Sequence, residues 1–362
     1  MQTGLPDACK PLTKTETTMK KFLFKLAIPL TALALTTQVM AADPINFATY
    51  TGADRQAKLV EAAQKEGVVM VYHVYPALVQ VAAAFTKKYG IKVNAWRASS
   101  ETVLQRVGTE AKGNRFEVDM IQNNAPENEA AYREKLLQEV RSPFQADLIP
   151  QAVPAHREWA GITLDIWTAA YNTQKVKKEE LPKTYQDLAD PKWKGRLGIE
   201  AGNHAWFGTL MSELGEEKGL KLFNNIMATN GMSVRKGHSL LTALVASGEV
   251  PLAITVYSWN PEALKEKGAP IEVLPITPVI AQPSTIAIAK KAPHPAAAVL
   301  FYDFLLSDGQ KLLADAKFVP ASKKIDNMYS KTPLKFIDPG KALDSQEKWL
   351  KMYDEAVIKK AK

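Results

Sequence analysis

Apolar and polar positions along the chain switch repeatedly between a two-residue and a three-to-four-residue period. Residues 67–75 read GVVMVYHVY, a β-branched run with strand character. The following ALVQVAAAFTKKYG has helical apolar spacing and a stop at Gly90. IKVNAW is the next strand, then a RASSE loop and the helical TVLQRVGTEAKG. FEVDMIQ is a third strand, and in NNAPENEAAYREKLL Pro126 opens a helix. This βαβαβ opening predicts a mainly parallel sheet with helices on both faces. Ligands of such sheets sit at the carboxyl ends of the strands. His73, Tyr75, Arg97, Ser99, Ser100, Asn123 and Asn124 therefore fall along one rim.

A long extended segment without turn signals, WAGITLDIWTAAYNT, runs from Trp159 to Thr173, and the alternation then restarts. GRLGIEAGNHAWFGTLMSEL reads as strand, polar loop and helix, and GMSVRKGHSLLTALVASGE as basic turn and helix. VPLAITVYSWN is a further strand. Pro261 after it cannot supply a ladder N–H and should end it. Tyr257 and Trp259 alternate, so both rings should face one side of that strand and wall a cleft. A second extended segment, IEVLPITPVIAQPSTIAIA, leads to helix HPAAAVLFYDFLLSDGQKLLAD, and helices around SQEKWLKMYDEAVIKKAK finish the chain. Two long extended connections flanking an inserted α/β unit predict two lobes. Lobe one is expected over 42–160 plus 276–324, and lobe two over 161–275 plus 325–362.

The chain is long enough for two ordinary cores, at 362 residues. Its start changes the picture of where they fold. From Met19, the expected true start, Lys20, Lys21 and Lys25 precede an apolar run that ends in small residues at Ala41. That is the pattern of a cleavable secretory signal, too short in its apolar part for a membrane span. Residues 1–41 are read as leader and signal peptide, and the mature protein as soluble and periplasmic. The single cysteine, Cys9, lies in the leader, so no disulfide, thiolate metal site or cysteine nucleophile is expected. The leader also holds five lysines and two acidic residues, so part of the formal +8 charge belongs to it. No basic block stands out, which argues against nucleic acid as a partner.

Catalytic signatures are missing: there is no H-E-x-x-H, G-x-S-x-G, P-loop or G-x-G-x-x-G, and the five histidines are scattered. What recurs is polar and aromatic residues in strand-to-helix loops, AGNHAWF and RKGHS. Helix N-termini there would present free N–H groups and partial positive charge to a carboxylate or phosphate. Asn203, His204, Trp206, Arg235 and His238 are the candidates. Simple capping would equally explain Ser99, Ser100 and Asn203. Surface charge would explain Arg97 and Arg235, and core packing Trp167 and Trp206.

Blocks such as DPKWKGRLGI, VASGEVPLAI, KEKGAPIEVL, AAAVLFYDFLLSDGQKLLADAKFVP and YNT followed by LPKTYQDLADPKWKGR resemble periplasmic solute-binding proteins of bacterial ABC importers. More narrowly they are similar to the ferric-ion-binding branch. The resemblance implies an α/β, two-lobe type II periplasmic-binding fold, each lobe a mainly parallel sheet flanked by helices, with two or more hinge crossings. It implies a monomer without cofactor or catalysis that hands its solute to a permease and ATPase in the inner membrane. Iron binders of this branch carry two adjacent tyrosines after the GE strand; counting from Gly248-Glu249, those places hold Ser258 and Trp259, with Tyr257 one residue early. The positions that hold the partner anion carry over as Asn203, Ala205 and His238. The expected cargo is therefore a small organic anion and no metal. Ferric iron is the alternative, and a secreted hydrolase, which would need a nucleophile–base pair, is a second.

Overall fold

The structure, a computed structural model, describes residues 45–361. The leader and its cleavage site lie outside the described residues. Helix α1 (Arg55–Glu66) ends on Gly67 at φ 70°, and strand β1 (Val68–His73) follows. Helix α2 (Leu78–Tyr89) stops on Gly90 at φ 74°, a left-handed cap that glycine adopts without a Cβ penalty. Strand β2 (Lys92–Arg97) leads to α3 (Ser100–Lys112), whose N-cap Ser99 accepts a hydrogen bond from the Thr102 N–H. Then come β3 (Met120–Asn124), α4 (Ala125–Arg133) and the short β4 (Leu137–Gln138).

The extended segment is β5 (Trp159–Asn172), buried at every position. The second half runs through β6 (Leu197–Glu200), α5 (His204–Leu214), α6 (Glu216–Thr229), β7 (Ser233–Arg235) and α7 (His238–Ser247). After these come β8 (Leu252–Tyr257), α8 (Trp259–Lys265), β9 (Ile271–Leu274) and β10 (Val279–Ala289). The chain closes through α9 (Pro295–Leu306), α10 (Asp308–Asp315), β11 (Val319–Pro320), β12 (Leu334–Phe336), α11 (Pro339–Asp344) and α12 (Gln346–Ala356).

The sheet order is β2-β1-β3-β10-β5-β8-β6-β7. The outer strands pair in parallel on both sides, β2-β1-β3 on one and β8-β6-β7 on the other. Between them β5 and β10 run antiparallel, Ala287 beside Trp159 and Ile280 beside Trp167. Gly161 lets them approach the loop beneath. A Cβ there would lie 2.8 Å from the Ala152 Cβ and 3.0 Å from that of Pro283.

These two strands thread both major cores. Ala160, Ile162, Ile286 and Ile288 belong to a core with Leu59, Phe85 and Phe301, whereas Ala169, Tyr171 and Ile280 belong to one with Trp193, Trp206, Phe207 and Phe223. The chain is thus an α/β protein with two lobes joined by crossing strands. Covered on both faces, β5 and β10 are buried throughout and show no alternation of buried and exposed positions, which is why they read as long extended runs.

Three expectations change. The third strand begins at Met120 and runs on to Asn124, later than FEVDMIQ. The extended segment after Ile271 is two strands, β9 and β10. Most importantly, ITVYSWN is not one strand: β8 stops at Tyr257 and α8 starts at Trp259. Pro261 sits in the first turn of α8, where its missing N–H costs nothing. Helices α1 and α6 went unread.

Candidate functional site

Strand ends β1, β3 and β8 and the N-terminal turns of α3, α4, α5, α7 and α8 surround a cleft of about 680 Å³. Tyr75, Arg97, Ser99, Ser100 and Asn124 line it from the first half of the chain. Asn203, His204, Ala205, Trp206, His238, Tyr257 and Trp259 line it from the second. The rim rule of parallel sheets and the loop reading thus converge on one cavity.

Three expected residues stand outside it. His73 is 2% exposed, with Nδ1 against the Tyr75 carbonyl at 2.9 Å. Asn123 donates to the Ser100 carbonyl at 3.1 Å and so shapes the α3 turn from behind. Arg235 lies on β7, with its guanidinium 3.7 Å from Glu249. Ser258 is buried and also does not line the cleft.

Aromatic rings form one wall. Tyr257 and Trp259 lie 6.4 Å apart between centroids with an 18° interplanar angle. Tyr257 also meets His238 at 3.9 Å and Trp167 at 5.2 Å. Trp259 reaches across to Phe318 at 4.8 Å, and Phe318 to Tyr75 at 4.6 Å. Trp167 is buried in the core and also lines the cleft, where its Nε1 donates to Asn203 Oδ1 at 3.0 Å. That leaves Asn203 Nδ2, like Asn260 Nδ2, buried without a partner.

The floor is acidic. Asp165 of β5 accepts a 2.6 Å hydrogen bond from the Tyr75 hydroxyl, and burial pushes its carboxyl up to about 7. Glu127, in the first turn of α4, is likewise pushed up to about 7 by burial. Glu200 turns back onto the loops ahead of α5 and α7, where it accepts the N–H of Gly202 at 2.6 Å and of Gly237 at 2.9 Å. Burial still raises its carboxyl, against the pull of those two donors. The Tyr257 phenol is held well above its usual range, first by burial and then by Asp165, Glu200, Glu127 and Glu101. Burial drives His238 down to about 3, so its ring is neutral near pH 7 and carries no charge for an anion. No group of three or more His, Cys, Asp or Glu side chains stands ready for a metal among the described residues.

Sequence reasoning missed these carboxyls. Glu101 falls in the expected RASSE loop and Glu127 just inside an expected helix, where acids are ordinary. Asp165 had a signal: it is one carboxyl inside a run of apolar strand residues, where an uncompensated charge is costly.

The profile of the bacterial extracellular solute-binding protein family matches residues 121–342. The chain belongs to that family. This solute-binding protein is 26% identical to "Iron uptake protein A1" of Synechocystis sp. over 275 residues, covering 67% of this chain and 74% of the relative. It is 29% identical to the "Fe(3+)-binding periplasmic protein" of Serratia marcescens over 204 residues, covering 55% and 59%. The relatives are named for binding and uptake, not for catalysis. Among solved structures, AfuA of Actinobacillus pleuropneumoniae with exogenous fructose-6-phosphate superposes with a TM-score of 0.70 at 23% identity, covering 81% of this chain and 99% of that one. Iron-bound HitA of Pseudomonas aeruginosa gives 0.68 at 22%, covering 80% and 99%. At such identities these two structures establish the fold, the two-lobe periplasmic-binding architecture, and not the cargo.

Proposed function

We propose that this solute-binding protein is the extracytoplasmic receptor of an ABC importer, and that it captures a positively charged solute in the cleft. The observation that carries the charge is that Asp165, Glu200, Glu127 and Glu101 line one cleft with Tyr257, whose phenol they help to hold above its usual range. Against those four carboxyls, Arg97 is the one lysine or arginine among the lining residues. Like charges gathered in a partly dry cavity repel one another, and a bound cation relieves that repulsion.

Ferric iron is the cation to which the relatives' names point. Phenolate and carboxylate oxygens are hard donors suited to it. The paired tyrosines expected of iron binders are absent, because Ser258 is buried outside the cleft and the indole of Trp259 offers no lone pair. No three acidic or imidazole side chains of the described residues stand together for a metal, so iron would rest on one phenol, a neighbouring carboxyl and, above all, a chelating anion that travels with it. On the division expected from the sequence, 42–160 plus 276–324 and 161–275 plus 325–362 would be the two bodies that close over it, with β5 and β10 as the crossings.

One observation favours an organic anion instead. The first turn of α5 has no side-chain cap, so its N–H groups stay open to a phosphate or carboxylate. The turns on either side are less available, since Glu200 already occupies the Gly202 and Gly237 N–H groups. Native mass spectrometry of protein purified from its own periplasm separates the readings. A metal-bearing adduct supports the cationic reading, and a purely organic acidic adduct overturns it.

A further inference from the structure

A second cavity, of about 670 Å³, shares no lining residue with the cleft. Thr51, Gly52 and Ala53 bound it ahead of α1, together with Arg55 and Gln56 of the first turn of α1. Arg141, Ser142, Pro143 and Arg157 close the other side. Three arginines therefore line one hollow.

Arg55 is the telling one. It is 6% exposed, and its Nη1 donates to Asp303 at 2.5 Å, while Nε and Nη2 are buried with no partner. Arg157 spends Nη1 on the Gln145 side-chain oxygen at 2.9 Å and meets no carboxylate there. Arg141 reaches Glu139 at 2.7 Å, but its side chain is 58% exposed, so that pair is weak and exchangeable. Two carboxylates against three guanidiniums leave the hollow positive. The N-terminus of α1 adds to this. Its N-cap, Asp54, makes no capping bond and is engaged instead by the Tyr50 hydroxyl and by Lys58.

We propose that this hollow is a second binding site, for a small multivalent oxoanion, phosphate or a polycarboxylate. Guanidinium forks match the paired oxygens of such groups, and open helix N–H groups complete the cradle. The Asp303 contact holds Arg55 in place without consuming its remaining donors. The site is independent of what the cleft carries.

The test is isothermal titration of the full-length purified protein at low salt, with inorganic phosphate and citrate in separate arms. Three proteins are compared: the parent, Arg141→Ala, chosen because that side chain is exposed and its loss spares the fold, and Trp259→Ala as the cleft control. The expected result is binding of at least one anion that weakens about tenfold or more in Arg141→Ala, stays within about twofold in Trp259→Ala, and fades as salt is added. The arm that binds shows whether phosphate or carboxylate geometry fits. Absence of binding in both arms would overturn the proposal. So would binding that survives Arg141→Ala unchanged, or that is lost in Trp259→Ala alone, since either places the anion elsewhere.

Discussion

The Tyr75 hydroxyl donates to Asp165 at 2.6 Å, and this bond ties the loop after β1 to a strand that runs through both cores. Thr163, two residues before Asp165, donates in turn to the Tyr75 oxygen at 2.8 Å. One member of the acidic floor, Asp165, therefore sits on the crossing strand, where movement of the two lobes would be felt.

Tyr75→Phe removes the donor to a buried carboxyl while keeping the ring against Phe318. The expected cost is about 1–3 kcal/mol of stability, read as a lower melting temperature. Binding of a cation should change less than stability does, because the carboxyl itself remains.

The floor also sets a pH dependence. Asp165 and Glu127 are both pushed up to about 7, so the empty folded protein holds protons that the unfolded chain has released. Their contribution to stability is full below about pH 4 and is lost as pH rises through about 7. The melting temperature of the empty protein should fall across that window, and Asp165→Asn with Glu127→Gln should flatten the fall. A cationic solute should reverse the trend, binding more tightly as pH rises and releasing protons as it binds. Titrations in two buffers of different ionisation enthalpy measure that release.

Trp259 bridges the ring wall, lying within 6.4 Å of Tyr257 and 4.8 Å of Phe318. Trp259→Ala should weaken solute binding by about 1–3 kcal/mol, roughly ten- to a hundred-fold. The melting temperature is measured first, so that lost packing is not read as lost affinity. Ser258→Ala should leave binding within a few-fold, because Ser258 is outside the cleft.

Much of the cleft was legible because strand ends and helix starts are written locally. Gly90 closes α2, and Ser99 caps α3 and marks the end of a loop that borders the cavity. The crossing strands were legible as long extended runs, β5 without a turn signal. The Tyr257–Trp259 relationship has a different origin from the one strand alternation suggests. Both rings line the cleft, yet Trp259 is there because a helix begins at it, with Pro261 in its first turn. The acidic floor was hidden because its members come from positions 101, 127, 165 and 200. No sequence spacing announces that they converge. Only the sheet order, which sets β5 beside β8 and β6 beyond it, brings Asp165 and Glu200 to the same phenol.

The most direct test is titration of Arg141→Ala protein, in which the second hollow is weakened, with ferric citrate, with citrate alone and with fructose 6-phosphate, repeated with Tyr257→Phe added. The cationic reading predicts one-to-one binding of ferric citrate that far exceeds any response to citrate alone and is strongly weakened in Tyr257→Phe, with no binding of fructose 6-phosphate in the cleft. Equal responses to citrate with and without iron, or tight binding of the sugar phosphate that survives Tyr257→Phe, would contradict it.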